Sequence, residues 1–106
     1  MDFVESKLVE LKETIVDDIK KEVIAFINSE GGNLYVGVAD DGHVIGLDDP
    51  QSDMLRLTNM IRDTIKPDAT MFVECQIEKI DTKDIVRVQV QKGTHAPYYL
   101  VGKGIR

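Results

Sequence analysis

Aromatic and basic side chains gather near the end of this chain. Aromatic faces stack on unpaired bases, and neighbouring cations neutralise phosphates, so this combination favours single-stranded or distorted nucleic acid. The alternative is an ordinary edge strand whose tyrosines pack partly on the domain and whose cations keep it soluble and unpaired. The residues concerned are Lys92, His95, Tyr98, Tyr99, Lys103 and Arg106.

A second candidate is the loop from Asn28 to Asn33, which contains Gly31 and Gly32. Its backbone N–H groups could surround a phosphate in a nest-like concavity that begins at Asn28. Phosphate loops with a strong pattern precede a helix, however, whereas this loop follows one, and no Gly-Lys-Ser/Thr is present. The alternative is that the glycines end the helix and allow close packing of the next strand.

The overall charge restricts any nucleic-acid contact to a local surface. The net charge is −6 and the sequence pI is about 4.8. Loose electrostatic binding to nucleic acid requires a clustered basic surface, which this balance disfavours.

The chain has 106 residues, of which 42% are apolar, enough for one core and too few for two ordinary domains. We therefore expect a single domain over residues 1–106. No apolar run is long enough to span a membrane, and the N-terminus lacks the layout of a secretory signal, so we expect a soluble, cytoplasmic protein. Cys75 is the only cysteine, which excludes a disulfide within the chain and favours an inert core residue.

Hydrophobic periodicity predicts the elements that position these residues. Val9 and Leu11 alternate with Glu10 and Lys12, which predicts a first strand with the charged pair facing away from the core. The helices follow a capping-type start at Thr14 and Asp17 and an Asp49-Pro50 start. The first helix runs to Asn28 and the second stops before Pro67; predicted strands cover residues 7–12, 34–38, 43–47, 71–78 and 86–91, with an edge strand at 97–101.

The order β-α-β-β-α-β-β, with a possible further C-terminal edge strand, predicts an α+β fold. Its sheet would be mixed but mainly antiparallel, and its two helices would pack on that sheet. Asp41-Gly42 offers a two-residue hairpin turn after the central strand.

Several dispersed segments resemble the Schlafen-type AlbA domain, also labelled a divergent AAA domain. They read Glu5-Ser6, then Val9-Glu10-Leu11-Lys12, then the stretch from Ala25 to Val38 with its Ala-Phe-x-Asn-x-x-Gly-Gly pattern, then Asp40-Asp41-Gly42, and finally Ala96-Pro97-Tyr98-Tyr99. The resemblance implies a nucleic-acid-binding module of bacterial transcriptional regulators. Its Pro-Tyr and terminal Arg motifs fall at Pro97-Tyr98 and Arg106.

The same resemblance implies a catalytic alternative. In Schlafen members that cleave RNA, three acidic residues lie in the motifs that here contain Glu5, Glu10 and Asp40. Three converging carboxylates would hold Mg²⁺ or Mn²⁺, which could activate water, while Lys12 steadied the phosphate. Glu5 must then lie beyond a bend, because a five-residue step along one strand reaches the opposite face. Otherwise the acidic residues are solvated, and Asp40 caps the hairpin turn.

Three functional hypotheses follow. The first is a DNA- or RNA-binding module of a longer regulator, of which this chain is the N-terminal part, with contacts through Lys12, Arg106 and the Tyr98/Tyr99 region. The second is a divalent-metal-dependent endoribonuclease using Glu5, Glu10 and Asp40. The third is a protein-interaction module that forms a homodimer through the exposed strand at residues 97–101.

Overall fold

The computed structural model of the chain describes residues 5–101. It contains two helices, a four-stranded sheet and a small two-stranded sheet, which confirms the predicted α+β fold. The elements are β1 (Val9–Lys12), α1 (Ile19–Ile27), β2 (Gly32–Val36), α2 (Pro50–Thr64), β3 (Ile65–Lys66), a 3-10 turn (Thr70–Phe72), β4 (Val73–Ile80), β5 (Lys83–Val90) and β6 (Tyr99–Leu100).

The main sheet has the strand order β1-β2-β5-β4. Strand β1 is parallel to β2, and both other pairings are antiparallel, so the sheet is mixed and mainly antiparallel as predicted. A parallel pair needs a crossover connection, which α1 supplies here. The early strand and the glycine-flanked strand are therefore neighbours in space.

The two helices cover one face of this sheet. Alternate residues of β2 and β5, such as Leu34 and Val86, point to that face and are fully buried. Helix α1 contributes Ile19, Val23 and Ile27 to the same core. A smaller cluster on the opposite face contains Leu11, Val38 and Ile85.

Strand β1 faces differently from the sequence prediction. Its register places Glu10 beside Leu34 and Lys12 beside Val36, so the charged pair lies on the helix-bearing face. Leu11 is only 1% exposed, but it is buried in the smaller cluster. The prediction was wrong here because both faces of the sheet bury apolar residues, and alternation alone does not say which face carries the helices.

The segment after β2 folds back over this smaller cluster. The predicted strand at residues 43–47 forms one bridge, Val38 with Val44, and the N–H groups of Ile45 and Gly46 both bond to the Gly37 carbonyl. Asp41 holds the turn, because its carboxylate accepts from the His43 N–H at 3.1 Å. The Asp41 carboxylate also contacts the His43 ring nitrogen Nδ1. Together, these two interactions with His43 lower the pKa of Asp41.

The helix starts agree with prediction at α2 and differ at α1. The Asp49 side chain accepts from the Ser52 N–H at 3.1 Å, and Pro50 follows it at the first helical position. Helix α1 begins only at Ile19, after Asp18, which makes no side-chain capping bond. Among residues 5–101, no helix combines the length and apolar character that a membrane span requires.

Gly31 ends α1 and brings it close to β5. It has φ of +82°, and its N–H bonds to the Phe26 carbonyl at 2.8 Å. A Cβ at this position would lie 2.5 Å from the Val90 carbonyl oxygen. A residue with a side chain would be strained in this left-handed backbone conformation, and its Cβ would clash with the Val90 carbonyl.

We therefore expect Gly31→Ala to lower the free energy of unfolding by roughly 2–4 kcal/mol, since left-handed strain and overpacking both contribute. Gly46→Ala is the matched control, because Gly46 has a similar φ of +91° but would meet only the exposed Lys83 side chain. Urea unfolding of both variants would measure the difference. Equal losses would show that the close contact with the Val90 carbonyl does not matter.

Candidate nucleic-acid interface

The side chain of Asn28 joins the end of α1 to the C-terminal segment. Its Oδ1 accepts from the Tyr98 N–H at 2.7 Å, and its Nδ2 donates to the Tyr98 carbonyl at 2.9 Å. The two residues are 70 positions apart in sequence. Both ends of the amide are occupied, so Asn28 serves as a backbone clamp rather than as the start of a phosphate loop.

Other donors of the loop are also engaged. The N–H groups of Ser29 and Gly31 bond to the Phe26 carbonyl, and that of Asn33 bonds to the Leu8 carbonyl. Gly32 lies in β2 opposite Val90, and a Cβ there would lie 2.5 Å from the Phe26 ring. The loop therefore lacks the array of unpaired N–H groups that a phosphate nest needs, and the glycines allow close packing.

Tyr98 is part of the core. It is 2% exposed, and its ring packs edge-to-face against Phe72 with centroids 6.3 Å apart. The ring lies against Gly93, where a Cβ would come within 2.3 Å of it, and its hydroxyl accepts from the His95 N–H. The sequence prediction of base stacking on Tyr98 was wrong, because the clamp turns this ring inward.

Tyr99 faces the opposite way and is 57% exposed. In the small sheet it lies directly opposite Lys66 of β3, which is also exposed. Residues opposite each other in antiparallel strands point to the same face, with Cβ atoms about 4.5–5.5 Å apart. An aromatic ring and an ammonium group therefore share one surface.

Lys66 was missed by sequence analysis. It is the second residue of β3, two positions after the end of α2 and just before Pro67, and nothing local marks it as functional. Only its pairing with a strand more than thirty positions later, at Tyr99, reveals its neighbour.

Lys92 lies at the same end of the molecule as the clamp. It is exposed, and its backbone nitrogen lies 3.2 Å from where a Cβ of Gly31 would be. The next residue, Gly93, bonds to the Ile27 carbonyl. Lys92 thus leaves β5 beside the end of α1, where Asn28 holds Tyr98. Lys103 and Arg106 lie outside the described residues.

The acidic residues of the proposed nuclease are only partly brought together. The chain bends between Glu5 and β1, as the prediction requires, and Glu5 accepts from the Leu11 N–H at 3.2 Å. Burial and the negative charges of Glu22 and Glu5 raise the pKa of Glu10, and Lys12 opposes them. Lys12 lies 3.6 Å from both Glu10 and Glu22, so its ammonium group is engaged in ion pairs within the domain.

Asp40 lies away from this pair. It is exposed in the hairpin, four residues beyond Val36, whose partner on β1 is Lys12. Within residues 5–101, no three His, Cys, Asp or Glu side chains form a group that could hold a metal ion. The side chains of Glu5, Glu10 and Asp40 therefore do not fit the predicted Mg²⁺ or Mn²⁺ centre.

A family model described as Schlafen, AlbA_2 matches residues 5–105 of this chain. The match covers nearly the whole sequence, so the chain belongs to this family, as the motifs indicated. A search of curated proteins found none that matches.

Two solved structures share the fold. One is the N-terminal domain of a Nitrosomonas europaea protein named for its relation to the ATP-dependent DNA helicase RecG, with 26% identity and a TM-score of 0.75. The alignment covers 95% of this chain and 74% of that one. The other, from Corynebacterium diphtheriae, has 19% identity and a TM-score of 0.64 over 87% of this chain and 22% of that one.

Removing the clamp should destabilise the C-terminal segment. Asn28→Ala leaves the N–H and C=O of Tyr98 unpaired, so we expect a loss of roughly 2–4 kcal/mol in the free energy of unfolding. Asn28→Asp keeps the acceptor and loses the donor, and should unfold at an intermediate urea concentration. Equal stability of all three proteins would contradict the clamp.

Stability should also depend on pH through Glu10. A pKa raised above its ordinary 4.5 means that the folded state binds the proton more tightly, so its contribution is largest at low pH and is lost as pH rises. Glu10→Gln should therefore unfold at higher urea than the parent at pH 7, by roughly 0.5 kcal/mol after solvent screening. The gain should shrink toward pH 4.5. Glu13→Gln, exposed beyond β1, is the control and should show no such trend.

Proposed function

We propose that this chain binds DNA or RNA as one domain of a longer regulatory protein. The observation that carries the proposal is the exposed Tyr99 ring directly opposite Lys66 on the small sheet. Lys92 is exposed beside the end of α1, where Asn28 holds Tyr98, and Lys103 and Arg106 follow Tyr99 in sequence.

Stacking gives such a surface its affinity for unpaired bases. Stacking of a base on an aromatic side chain contributes about 1–3 kcal/mol. Any base can stack in this way, because every base has a π-face. A lysine beside the ring can contact the phosphate next to the stacked base. The interaction is local, so it does not require the whole chain to be basic.

The hydrogen bonds between Asn28 and Tyr98 order this surface in the unliganded protein. Asn28 fixes the backbone of Tyr98, and the buried Tyr98 ring fixes its side chain. Tyr99 is the next residue and points to solvent because side chains alternate along a strand. A ring held in place loses less conformational freedom on binding than one on a free tail.

The comparisons support the same class of function. The family is described by its Schlafen and AlbA_2 names, and one similar structure belongs to a protein named for a DNA helicase. In both solved relatives the aligned region is only part of the chain. Our proposal is that residues 1–106 form an N-terminal domain of a cytoplasmic transcriptional regulator.

The endoribonuclease is a weaker candidate. Glu5 and Glu10 lie together, which favours it, but Asp40 lies elsewhere and Lys12 occupies the space between Glu10 and Glu22. We derive no catalytic step from these residues. Homodimerisation through the C-terminal strand is the other alternative, although one edge of β6 already pairs with β3.

Oligonucleotide binding tests the proposal. We expect fluorescence anisotropy at low salt to show binding of a labelled single strand, and Tyr99→Ala to weaken it about five- to a hundredfold, as loss of one stacked base implies. Lys66→Gln should weaken binding and reduce the salt dependence by about 0.7 in log–log slope.

Lys79→Gln is the matched control, because Lys79 is exposed on β4, beside the hairpin at the far edge of the sheet. It should bind as the parent does. No binding of single- or double-stranded oligonucleotides at tens of micromolar protein would overturn the proposal, and so would equal losses from Lys66→Gln and Lys79→Gln.

A further inference from the structure

Strand β4 forms an outer edge of the main sheet. Within residues 5–101 it pairs with β5 alone. The Gln91 N–H bonds to the Phe72 carbonyl at 2.8 Å, and this fixes which residues of the ladder point toward β5. Because antiparallel bonds alternate along a strand, the N–H and C=O groups of every second residue point outward. These residues are Val73, Cys75, Ile77 and Lys79, although the Val73 N–H already bonds to the Thr70 carbonyl, so the unpaired outward N–H groups are those of Cys75, Ile77 and Lys79.

A groove runs beside this edge, between β4 and α2. It has a volume of about 260 Å³ and is lined mainly by apolar groups. Helix α2 contributes Met54, Thr58 and Ile61, which lie on one helical face, and β4 contributes Val73 and Cys75. Thr70 and Glu74 complete the lining at the start of β4. The side chain of Leu55, 61% exposed, lines the adjoining hollow above Met54 and Thr58.

The other face of β4 is polar and negatively charged. Glu74, Gln76 and Glu78 alternate with the groove-side residues and point away from the helices. Glu78 is paired with Arg87 at 3.3 Å, whereas Glu74 is exposed and, within residues 5–101, its carboxylate accepts a hydrogen bond only from Gln76, at 3.3 Å. A strand added here would meet an apolar groove on one face and carboxylates on the other.

We infer that the β4 edge and the α2–β4 groove bind an extended peptide strand in which apolar and basic residues alternate. The peptide backbone would pair with the outward groups of β4, which is the β-augmentation mode of recognition. Its apolar side chains would enter the groove beside Cys75 and Thr58. Its basic side chains would lie beside Glu74 and Glu78 on the other face.

A second copy of this chain fits the edge less well. In two-fold antiparallel pairings centred on Cys75, Gln76 or Ile77, Glu74 of one copy would face Gln76, Glu78 or Ile80 of the other, so none of these registers gives it a basic partner. Like charges directly opposite each other are destabilising. A basic strand neutralises these carboxylates instead, so the inferred ligand is a basic strand from another molecule.

A synthetic peptide of alternating valine and lysine residues tests this inference. We expect it to bind the full chain in an anisotropy titration, while a peptide of the same composition with the valines and lysines in separate blocks binds at least about tenfold more weakly, because only alternation matches the two faces. On binding, the amides of Cys75, Ile77 and Lys79 should gain protection from hydrogen exchange, and those of the even-numbered β4 residues should not.

Substitutions at two exposed positions test the charge and the groove separately. Glu74→Lys should weaken binding about tenfold, since it reverses the facing charge. Its control is Glu13→Lys, the same change beyond β1 at the opposite edge of the sheet. Thr58→Phe should weaken binding by filling the groove, whereas Thr14→Phe, exposed after β1, should not.

Equal binding of both peptides would overturn the inference, as would binding without protection of the outward amides. Light scattering that shows a dimer protected at these amides before peptide is added would assign the edge to a second copy and also overturn it. None of these outcomes depends on oligonucleotide binding at Tyr99, so the two proposals fail separately.

Discussion

The pair of hydrogen bonds between the Asn28 side chain and the Tyr98 backbone is the constraint on which the candidate interface depends. The C-terminal segment has little regular structure of its own, and β6 is only two residues long. A short strand in a two-stranded sheet is marginal by itself. The clamp attaches this segment to the end of α1, and Tyr98 then fills the space that Gly93 leaves open. Only with Tyr98 held in this way does the next residue have a defined outward direction.

The sequence was sufficient where local chemistry decides the structure. Asp49-Pro50 combines a capping side chain with a residue suited to the first helical turn, and α2 begins there. Alternation in residues 73–80 and 83–90 gave two antiparallel strands with one polar face. The sequence was insufficient at β1, because Leu11 is buried on the face opposite the helices by the segment that returns from β2. That burial depends on contacts between distant residues, which periodicity does not contain.

At the candidate site, too, residue types drew attention to particular positions, but contacts between distant residues decided their roles. Asn28, Gly31 and Gly32 were correctly picked out as unusual, but their residue types suit a phosphate loop and a tight helix end equally well. The distinction depends on Tyr98, Val90 and Phe26, which contact the loop from elsewhere in the chain. Likewise, two adjacent tyrosines must point to opposite sides of a strand, and the sequence does not say which one is buried. Lys66 becomes relevant only through its strand pairing.

The uneven distribution of charge explains how an acidic chain can present a cationic contact. Carboxylates are concentrated where they have internal partners or face the β4 edge: Glu10 and Glu22 share Lys12, and Glu78 pairs with Arg87. Lys12 and Arg87 are therefore neutralised within the fold and add little to an external potential, because opposite charges at short range cancel beyond about a Debye length. Lys66 and Lys92 are exposed and form no ion pair within residues 5–101, although hydrogen bonds from Thr70 and, to a lesser extent, the charge of Lys66 lower the pKa of nearby Asp68. The net charge of −6 thus describes the sum of several separate surfaces, and the residue paired with Tyr99 in the small sheet is a cation, Lys66.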